Sequence, residues 1–445
     1  MKFLIIAAGQ GSRLLKIGNS KPLIPILGLP LIERIILTAQ KCGFSEFCIV
    51  TGYNGQKVRE FLDKLAPRRN VKITYIVNEE WEKGNAISVL KAKHALGKEN
   101  FLLVMVDHLL DKEILQHLKS QPIKNNKVIL AADFTTDSNP LVDIEDVTKV
   151  LVKKDRIVDI GKNIPDYNAY DTGAFLCSTA IFPAIEKSIA NNDSSLSGAI
   201  KVLAQEKQAR VFDIQGKFWM DIDDEAAIKK AQQQLIKQLT KASDGPVSKY
   251  LNRPISTSIT KFLLKTNITP NQISFFSFLM AMIGAGLLFF GNTTCLIISG
   301  VLVQIASIVD GCDGEIARLK YQESDYGAWF DACLDRYADA FIFFGLSYYA
   351  FVTGAGTWGW IIGFLAMIGS FMNSYTADKY DGLMKSKFST RKTIRIGRDV
   401  RMFIVFIGAI TNQVMFILGF LALLTNIENI RRMYICSPSE NHEIS

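Results

Sequence analysis

Four aspartates stand among the long apolar stretches of the second half of this chain, and no other feature limits its folding as much. Asp310-Gly311-x-Asp313-Gly314-x-x-Ala317-Arg318 is followed, eight residues later, by Gly327-x-x-x-Asp331-x-x-x-Asp335. A charged side chain near the middle of a membrane span costs about 2.5–3.5 kcal/mol, so four without a purpose would cost roughly 10 kcal/mol or more. Residues three or four apart share one face of a helix, which predicts two acidic pairs, Asp310 with Asp313 and Asp331 with Asp335. Gly311, Gly314, Gly327 and Ala328 leave room for the two helices to approach closely. The result is a cage of four carboxylates whose repulsion divalent cations would remove.

The surrounding stretches are long and apolar: Ile273 to Gly291, Leu296 to Val309, Ala338 to Val352, Trp358 to Met372, and Met402 to Phe420 running on to Leu424. With the last folded into two helices around Thr411-Asn412, they make about six spans of the roughly 20 residues a bilayer requires. From Lys379 through Arg401 there are eight Lys or Arg and two acids, which marks that loop as cytoplasmic. Ahead of the spans, Val247, Tyr250, Leu251, Ile255, Ile259, Phe262 and Leu263 recur at helical spacing among Lys249, Arg253, Lys261 and Lys265. Despite Pro254, this suits a basic helix lying on a membrane surface, with a soluble linker helix as the alternative.

The first half is different in kind. An overall content of 49% hydrophobic and 21% charged residues therefore averages two unlike parts. Phe3 to Ala7, Phe47 to Thr51, Val71 to Val77, Phe101 to Val106 and Lys127 to Ala132 read as strands. Leu31 to Cys42, closed by Gly43, and Ala86 to Leu96, closed by Gly97, read as helices. This alternation predicts a mostly parallel sheet covered on both faces. The apolar run at Met1 to Ala8 is too short for a secretory signal and is read as a buried strand. The break at Ser243-Asp244-Gly245-Pro246 suits a domain boundary. Seven scattered cysteines without a C-x-x-C pair, and four histidines without ligand spacing, disfavour a disulfide scaffold and a zinc site. The net charge of +8 fits nucleic acid, phosphate substrates or a membrane surface, and its position decides between them.

After the first strand comes Ala7-Ala8-Gly9-Gln10-Gly11-Ser12-Arg13, then Lys21-Pro22-Leu23. Glycines directly after a strand let backbone N–H groups approach a polyphosphate, and Arg13 and Lys21 add charge to neutralise it. The rival dinucleotide fingerprint wants a glycine where Leu14 stands. Residues 1–230 resemble the nucleotidyltransferases that charge sugar or alcohol phosphates with a nucleotide. That resemblance implies a Rossmann-like fold with a mixed sheet, nucleotide contacts at Ala8, Gly9, Gly11 and Gly84, and one Mg²⁺ (or Mn²⁺) on Asp107 and on Asp221 of Trp219-Met220-Asp221. It further implies that Lys162 meets the acceptor phosphate and that Asp171-Thr172-Gly173 lines the alcohol pocket, although these loops could also be ordinary turns.

The aspartate pattern resembles the signature of the CDP-alcohol phosphotransferases, six-helix membrane enzymes, at every fixed position. The resemblance implies an all-α domain with two metals on Asp310, Asp313, Asp331 and Asp335, of which Asp335 also accepts the proton of the attacking hydroxyl. The nucleotide would lie near Asp313, Gly314, Arg318 and Asn271, the last of which could otherwise be a helix cap. Lys387, Arg391, Lys392, Arg395, Arg398 and Arg401 suit an acceptor phosphate, or serve as topological charge and bind anionic lipid.

The expected layout is a nucleotidyltransferase domain over 1–230, a helical linker over 231–246, a surface segment over 247–267, a transmembrane domain over 268–435 and a polar tail over 436–445. As a fusion, the chain resembles inositol-1-phosphate cytidylyltransferases joined to di-myo-inositol-phosphate-phosphate synthases. The resemblance implies CTP, inositol 1-phosphate and CDP-inositol as ligands, a compatible-solute precursor as product, and no nucleic acid. It also implies a multi-pass cell-membrane protein with both active sites on the cytoplasmic side and a homodimer through the membrane domain. Two alternatives are a phospholipid synthase whose soluble domain makes a different CDP-alcohol, and a non-catalytic membrane protein. The intact cage and glycine loop argue against the second.

Overall fold

The computed structural model describes residues 1–18, 20–123, 127–136, 139–240, 244–384 and 396–435. The chain divides into two compact units, Met1–Gln234 and Leu235–Ser445. The polar tail over 436–445 lies outside the described residues.

In the first unit, nine strands among the described residues form one sheet. They are β1 (Lys2–Ala7), β2 (Glu46–Thr51), β3 (Lys72–Val77), β4 (Phe101–Met105), β5 (Val128–Asp133), β6 (Lys149–Lys153), β7 (Arg156–Gly161), β8 (Ala169–Cys177) and β9 (Ala209–Asp213). Their order is β3-β2-β1-β4-β8-β5-β9-β7-β6. The five strands predicted from β-branched runs are β1 to β5. Alternate residues of β1 pack on opposite faces: Leu4 and Ile6 join Leu103, Leu130 and Phe175, while Phe3, Ile5 and Ala7 join Leu102, Val104 and Leu176. Each fully buried side chain of this size contributes about 1.5–3 kcal/mol.

The sheet is mixed rather than mostly parallel. Strands β3, β2, β1 and β4 pair in parallel, but β8 runs antiparallel to both β4 and β5, and β6 with β7 forms an antiparallel pair. For β6 and β7 the reason is local, since a tight turn between Lys153 and Arg156 can join only antiparallel strands. The helix predicted over 86–96 is likewise two pieces, Asn85–Lys91 and Lys93–Leu96.

The second unit is helical: α1 (Arg253–Leu263), α2 (Pro270–Leu287), α3 (Thr293–Leu319), α4 (Asp325–Ala350), α5 (Thr357–Lys379), α6 (Arg398–Ile410) and α7 (Val414–Ile435). Among the described residues, four stretches, Pro270–Phe290, Thr293–Leu319, Asp325–Ala355 and Val414–Ile435, are long and apolar enough to cross a membrane. The break between α6 and α7 falls at Thr411-Asn412, where Asn412 takes φ +52°. Close approach uses glycine: a Cβ at Gly300 of α3 would stand 2.5 Å from that of Ala409 on α6.

Pro254 lies in the first turn of α1 directly after a π-helical turn over Ser248–Asn252, so the helical path runs on through it rather than breaking there. The buried stripe of this segment is polar, with Asn252, Ser256 and Thr260 inward and Tyr250, Ile255 and Phe262 outward. Ser256 and Thr260 donate to the buried carboxylate of Glu315 on α3 at 2.6 and 2.7 Å, and Arg253 pairs with it at 2.7 Å. An apolar face turned outward suits a helix lying in a membrane surface.

Candidate functional sites

The strand β1 delivers the chain into Gly9-Gln10-Gly11. Gly11 has φ +62°, and a Cβ there would lie 2.7 Å from the Lys21 side chain, so a side chain at this turn would both strain the backbone and displace the lysine. Lys21 Nζ reaches Asp107 Oδ2 at 2.7 Å and Asp223 Oδ1 at 2.5 Å. Burial opposes its charge, but Asp107 and Asp223 more than offset that and hold the ammonium above its ordinary value.

Asp107 stands just after β4. Two short strands, His108–Leu110 and Trp219–Asp221, pair so that Asp221 lies opposite His108. This ladder gathers ligand atoms of Asp107, His108 and Asp221 within 4.8 Å of one another. Burial raises the Asp221 carboxyl, and the Asp107 charge adds to the effect. Asp107 is held well below the usual carboxylate range against its burial by Lys21 and His108. Burial works against a charge on His108, whose Nδ1 lies 2.7 Å from Asp107, yet Asp221 and Asp107 lift it to about 9.

Oδ1 of Asp221 is buried without a hydrogen-bond partner among the described residues. A buried carboxylate oxygen left this way is costly, and a hard cation would satisfy it. The two carboxylates, Asp107 and Asp221, therefore suit a divalent cation.

The cleft beside this cluster is a cavity of about 210 Å³ lined by Arg13, His108, Lys162, Asp171, Gly173 and Asp221 among others. Arg13 and Lys162 meet on one carboxylate, Asp146, at 2.6 and 2.5 Å. Burial pushes Asp171 up to about 6. Gly173, at φ +71°, makes room for His108, whose ring a Cβ would meet at 2.6 Å. Gly84 packs against Ser194, and it is its neighbour Asn85 that lines the cleft.

In the second unit, α3 brings Asp310 and Asp313 to Asp331 of α4, and ligand oxygens of these three lie within 4.8 Å of one another. Two hydroxyls of α2 orient them: Ser274 donates to Asp313 at 2.5 Å and Ser277 to Asp310 at 2.9 Å. Oδ1 of Asp331 is buried without a hydrogen-bond partner among the described residues, which again fits a cation. The fourth aspartate, Asp335, pairs instead with Arg398 Nη1 at 2.7 Å, and the same nitrogen lies 3.3 Å from Asp310.

Arg318 ends the α3 motif near Leu239, with Nη2 3.5 Å from its carbonyl and Nε buried without a hydrogen-bond partner among the described residues. The cap of α2 is Thr269, in a capping box with Gln272. Asn271 is thereby released to face the start of α4, its Oδ1 3.3 Å from where a Cβ of Gly327 would sit. Arg398 and Arg401 line a cavity of about 350 Å³ with Arg336, Arg432, Asn373 and Ser374. Arg391 and Arg395 lie outside the described residues.

Residues 3–205 match the family of the MobA-like NTP transferase domain, and residues 267–427 match CDP-alcohol phosphatidyltransferase. A protein of Rubrobacter xylanophilus named bifunctional IPC transferase and DIPP synthase is 34% identical over 438 residues, 96% of this chain and 95% of that one. The chain belongs to this bifunctional family. Members with the same name in Aquifex aeolicus (32% identical, 97% of both chains) and Archaeoglobus fulgidus (31% identical, 93% of this chain and 79% of that one) are also similar. The solved inositol-1-phosphate CTP transferase of T. maritima is 27% identical, with a TM-score of 0.47 over 52% of this chain and 93% of that one.

For this member of the bifunctional family, sequence reasoning missed His108, Asp146 and Asp223 in the first unit and Ser274, Ser277, Arg336, Asp339 and Arg432 in the second. His108 and Arg336 each directly follow a motif aspartate, and Asp339 continues the spacing of Asp331 and Asp335, so these three carried a local signal. Ser274, Ser277 and Arg432 reach their sites only through helix packing.

Proposed function

We infer that the chain performs two consecutive transfers. In the first, the phosphate of inositol 1-phosphate attacks the α-phosphorus of CTP, giving CDP-inositol and pyrophosphate. In the second, a hydroxyl of another inositol 1-phosphate attacks CDP-inositol at the phosphorus bearing the inositol, giving di-myo-inositol-phosphate-phosphate and CMP. What carries this reading is similarity to bifunctional relatives along nearly the whole chain, with an acidic cluster and a cationic cavity in the second unit and their counterparts in the first.

In the first unit, the turn from Ala8 to Gly11, with Arg13 and Lys21, takes the triphosphate, Lys162 takes the acceptor phosphate, and Asp171 borders the alcohol. Asp107 and Asp221, with His108 beside them, would hold one Mg²⁺. In the second unit, the four aspartates would hold two. Bound there, the cations would neutralise phosphate oxygens and the charge left on the departing group. Asp335 removes the proton of the attacking hydroxyl, and Arg318, Asn271 and Gly314 border the nucleotide. Arg398 and Arg401, joined by Arg336 and Arg432, grip the acceptor phosphate in the bidentate manner that suits guanidinium. Six spans, cytoplasmic sites and a homodimer through the membrane unit belong to the same reading.

The test supplies the protein with CTP, Mg²⁺ and inositol 1-phosphate and follows phosphorus NMR. CDP-inositol should appear first and a phosphodiester after it. Formation of CDP-inositol alone, with a phosphodiester appearing only when a lipid alcohol is added, would favour a phospholipid synthase.

A further inference from the structure

Asp339 lies one helical turn beyond Asp335 on α4, so that Asp331, Asp335 and Asp339 form one acidic row. It is fully buried. Both its oxygens are engaged by α6: Oδ1 accepts from Arg398 Nε at 2.9 Å and Oδ2 from Arg401 Nη2 at 3.2 Å. With Nε fixed, the far end of Arg398 presents Nη1 to Asp335 at 2.7 Å and to Asp310 at 3.3 Å. Arg401 is pinned further by Ser374 Oγ at 3.1 Å and by the Ile396 carbonyl at 3.2 Å. Two of the four arginines that line the cationic cavity, Arg398 and Arg401, therefore share one carboxylate as their common anchor, and Arg398 also touches the aspartate assigned as base.

We propose that Asp339 is a positioning residue for the second transfer: it holds Arg398 and Arg401 in the orientation that receives the acceptor phosphate and sets its hydroxyl against Asp335. With both oxygens committed to arginine, it is not a fifth metal ligand. Long side chains lose much freedom when they bind an anion, and a buried partner that has already ordered them raises the affinity of the site. Alignment of the reacting groups improves for the same reason.

The proposal rests on the assignment of Arg398 and Arg401 to the acceptor phosphate, and the experiment separates the two. Full-length protein in detergent is assayed with supplied CDP-inositol and inositol 1-phosphate, varying each in turn. Asp339→Asn keeps the shape but turns an amide toward two guanidiniums, so the acceptor KM should rise at least tenfold while the CDP-inositol KM stays within twofold. Asp339→Glu keeps the charge but moves it by one methylene, and should give the same selective pattern at about threefold. If the asparagine variant does not fold, the glutamate variant alone decides. An unchanged acceptor KM, or an equal rise in both KM values, overturns the positioning role. Arg401→Gln reads the underlying assignment: if it leaves the acceptor KM unchanged, the arginines do not hold the phosphate and both ideas fall. If it raises that KM while the Asp339 variants do not, only the positioning role falls.

Discussion

Lys21 Nζ lies 2.7 Å from Asp107 Oδ2, joining the phosphate loop after the first strand to the acidic cluster after the fourth. Both side chains are largely buried, and removing one partner of such a pair costs about 3–5 kcal/mol because the other charge is left without compensation. Lys21→Gln should therefore lower the melting temperature of the first unit and slow pyrophosphate release from CTP by about 10²–10³-fold, the typical loss for one preorganised electrostatic contact. The second transfer, assayed with supplied CDP-inositol, should be unchanged. Pyrophosphate release and differential scanning fluorimetry measure the two effects, and full-rate release in the variant would remove Lys21 from the site.

What was legible in the sequence was what neighbouring residues encode. The convergence of Asp310 and Asp313 follows from helical spacing, but the small residues of the motif do not seat α3 on α4 as expected: Gly311 faces Arg253 and Ser256, and Gly327 faces Ser324 and Asn271. The first five strands were legible for the same reason, since a run of β-branched and apolar residues is a local signal. The direction of β8 was not, because only the whole sheet decides between which neighbours a strand inserts. Nor could spacing assign a partner to Asp335. The arginine it meets comes from α6, 63 residues further along the chain.

Asp335→Asn keeps an oxygen that can accept a hydrogen bond but cannot remove a proton. A positioned general base contributes about 10²–10⁴-fold, so phosphodiester formation should fall at least that far with little change in CDP-inositol binding. Asp313→Asn should instead weaken Mg²⁺ and nucleotide binding together, since Asp313 belongs to the three-carboxylate cluster. Titrating Mg²⁺ and CDP-inositol against each variant distinguishes them, and near-normal turnover in Asp335→Asn would remove it as the base.

Ser274 and Ser277 touch the cluster from α2 without belonging to the signature motif. Hydroxyls that fix the orientation of ligating carboxylates typically contribute 10–100-fold in metal affinity or activity. Ser274→Ala should raise the Mg²⁺ concentration required for half-maximal phosphodiester formation by about that factor, with the cytidylyl transfer intact. An unchanged Mg²⁺ requirement would reduce the 2.5 Å contact with Asp313 to helix packing.

Asp331 tests the cluster through stability. Its Oδ1 is buried without a hydrogen-bond partner among the described residues, beside the carboxylates of Asp310 and Asp313. An unsatisfied buried polar group costs about 1–3 kcal/mol, more when charged. In chelator, Asp331→Asn should therefore melt higher than the parent chain, since it takes one carboxyl out of a crowded group of three. With saturating Mg²⁺ the order should reverse. A ligand at 100 times its Kd stabilises the state that binds it by about 2.7 kcal/mol, and the variant forfeits most of that gain. Thermal unfolding in detergent, with EDTA and then across a Mg²⁺ series, measures both limbs. A parent chain whose melting temperature ignores Mg²⁺, or a variant less stable under both conditions, would mean that Asp331 is held for packing and not for a cation.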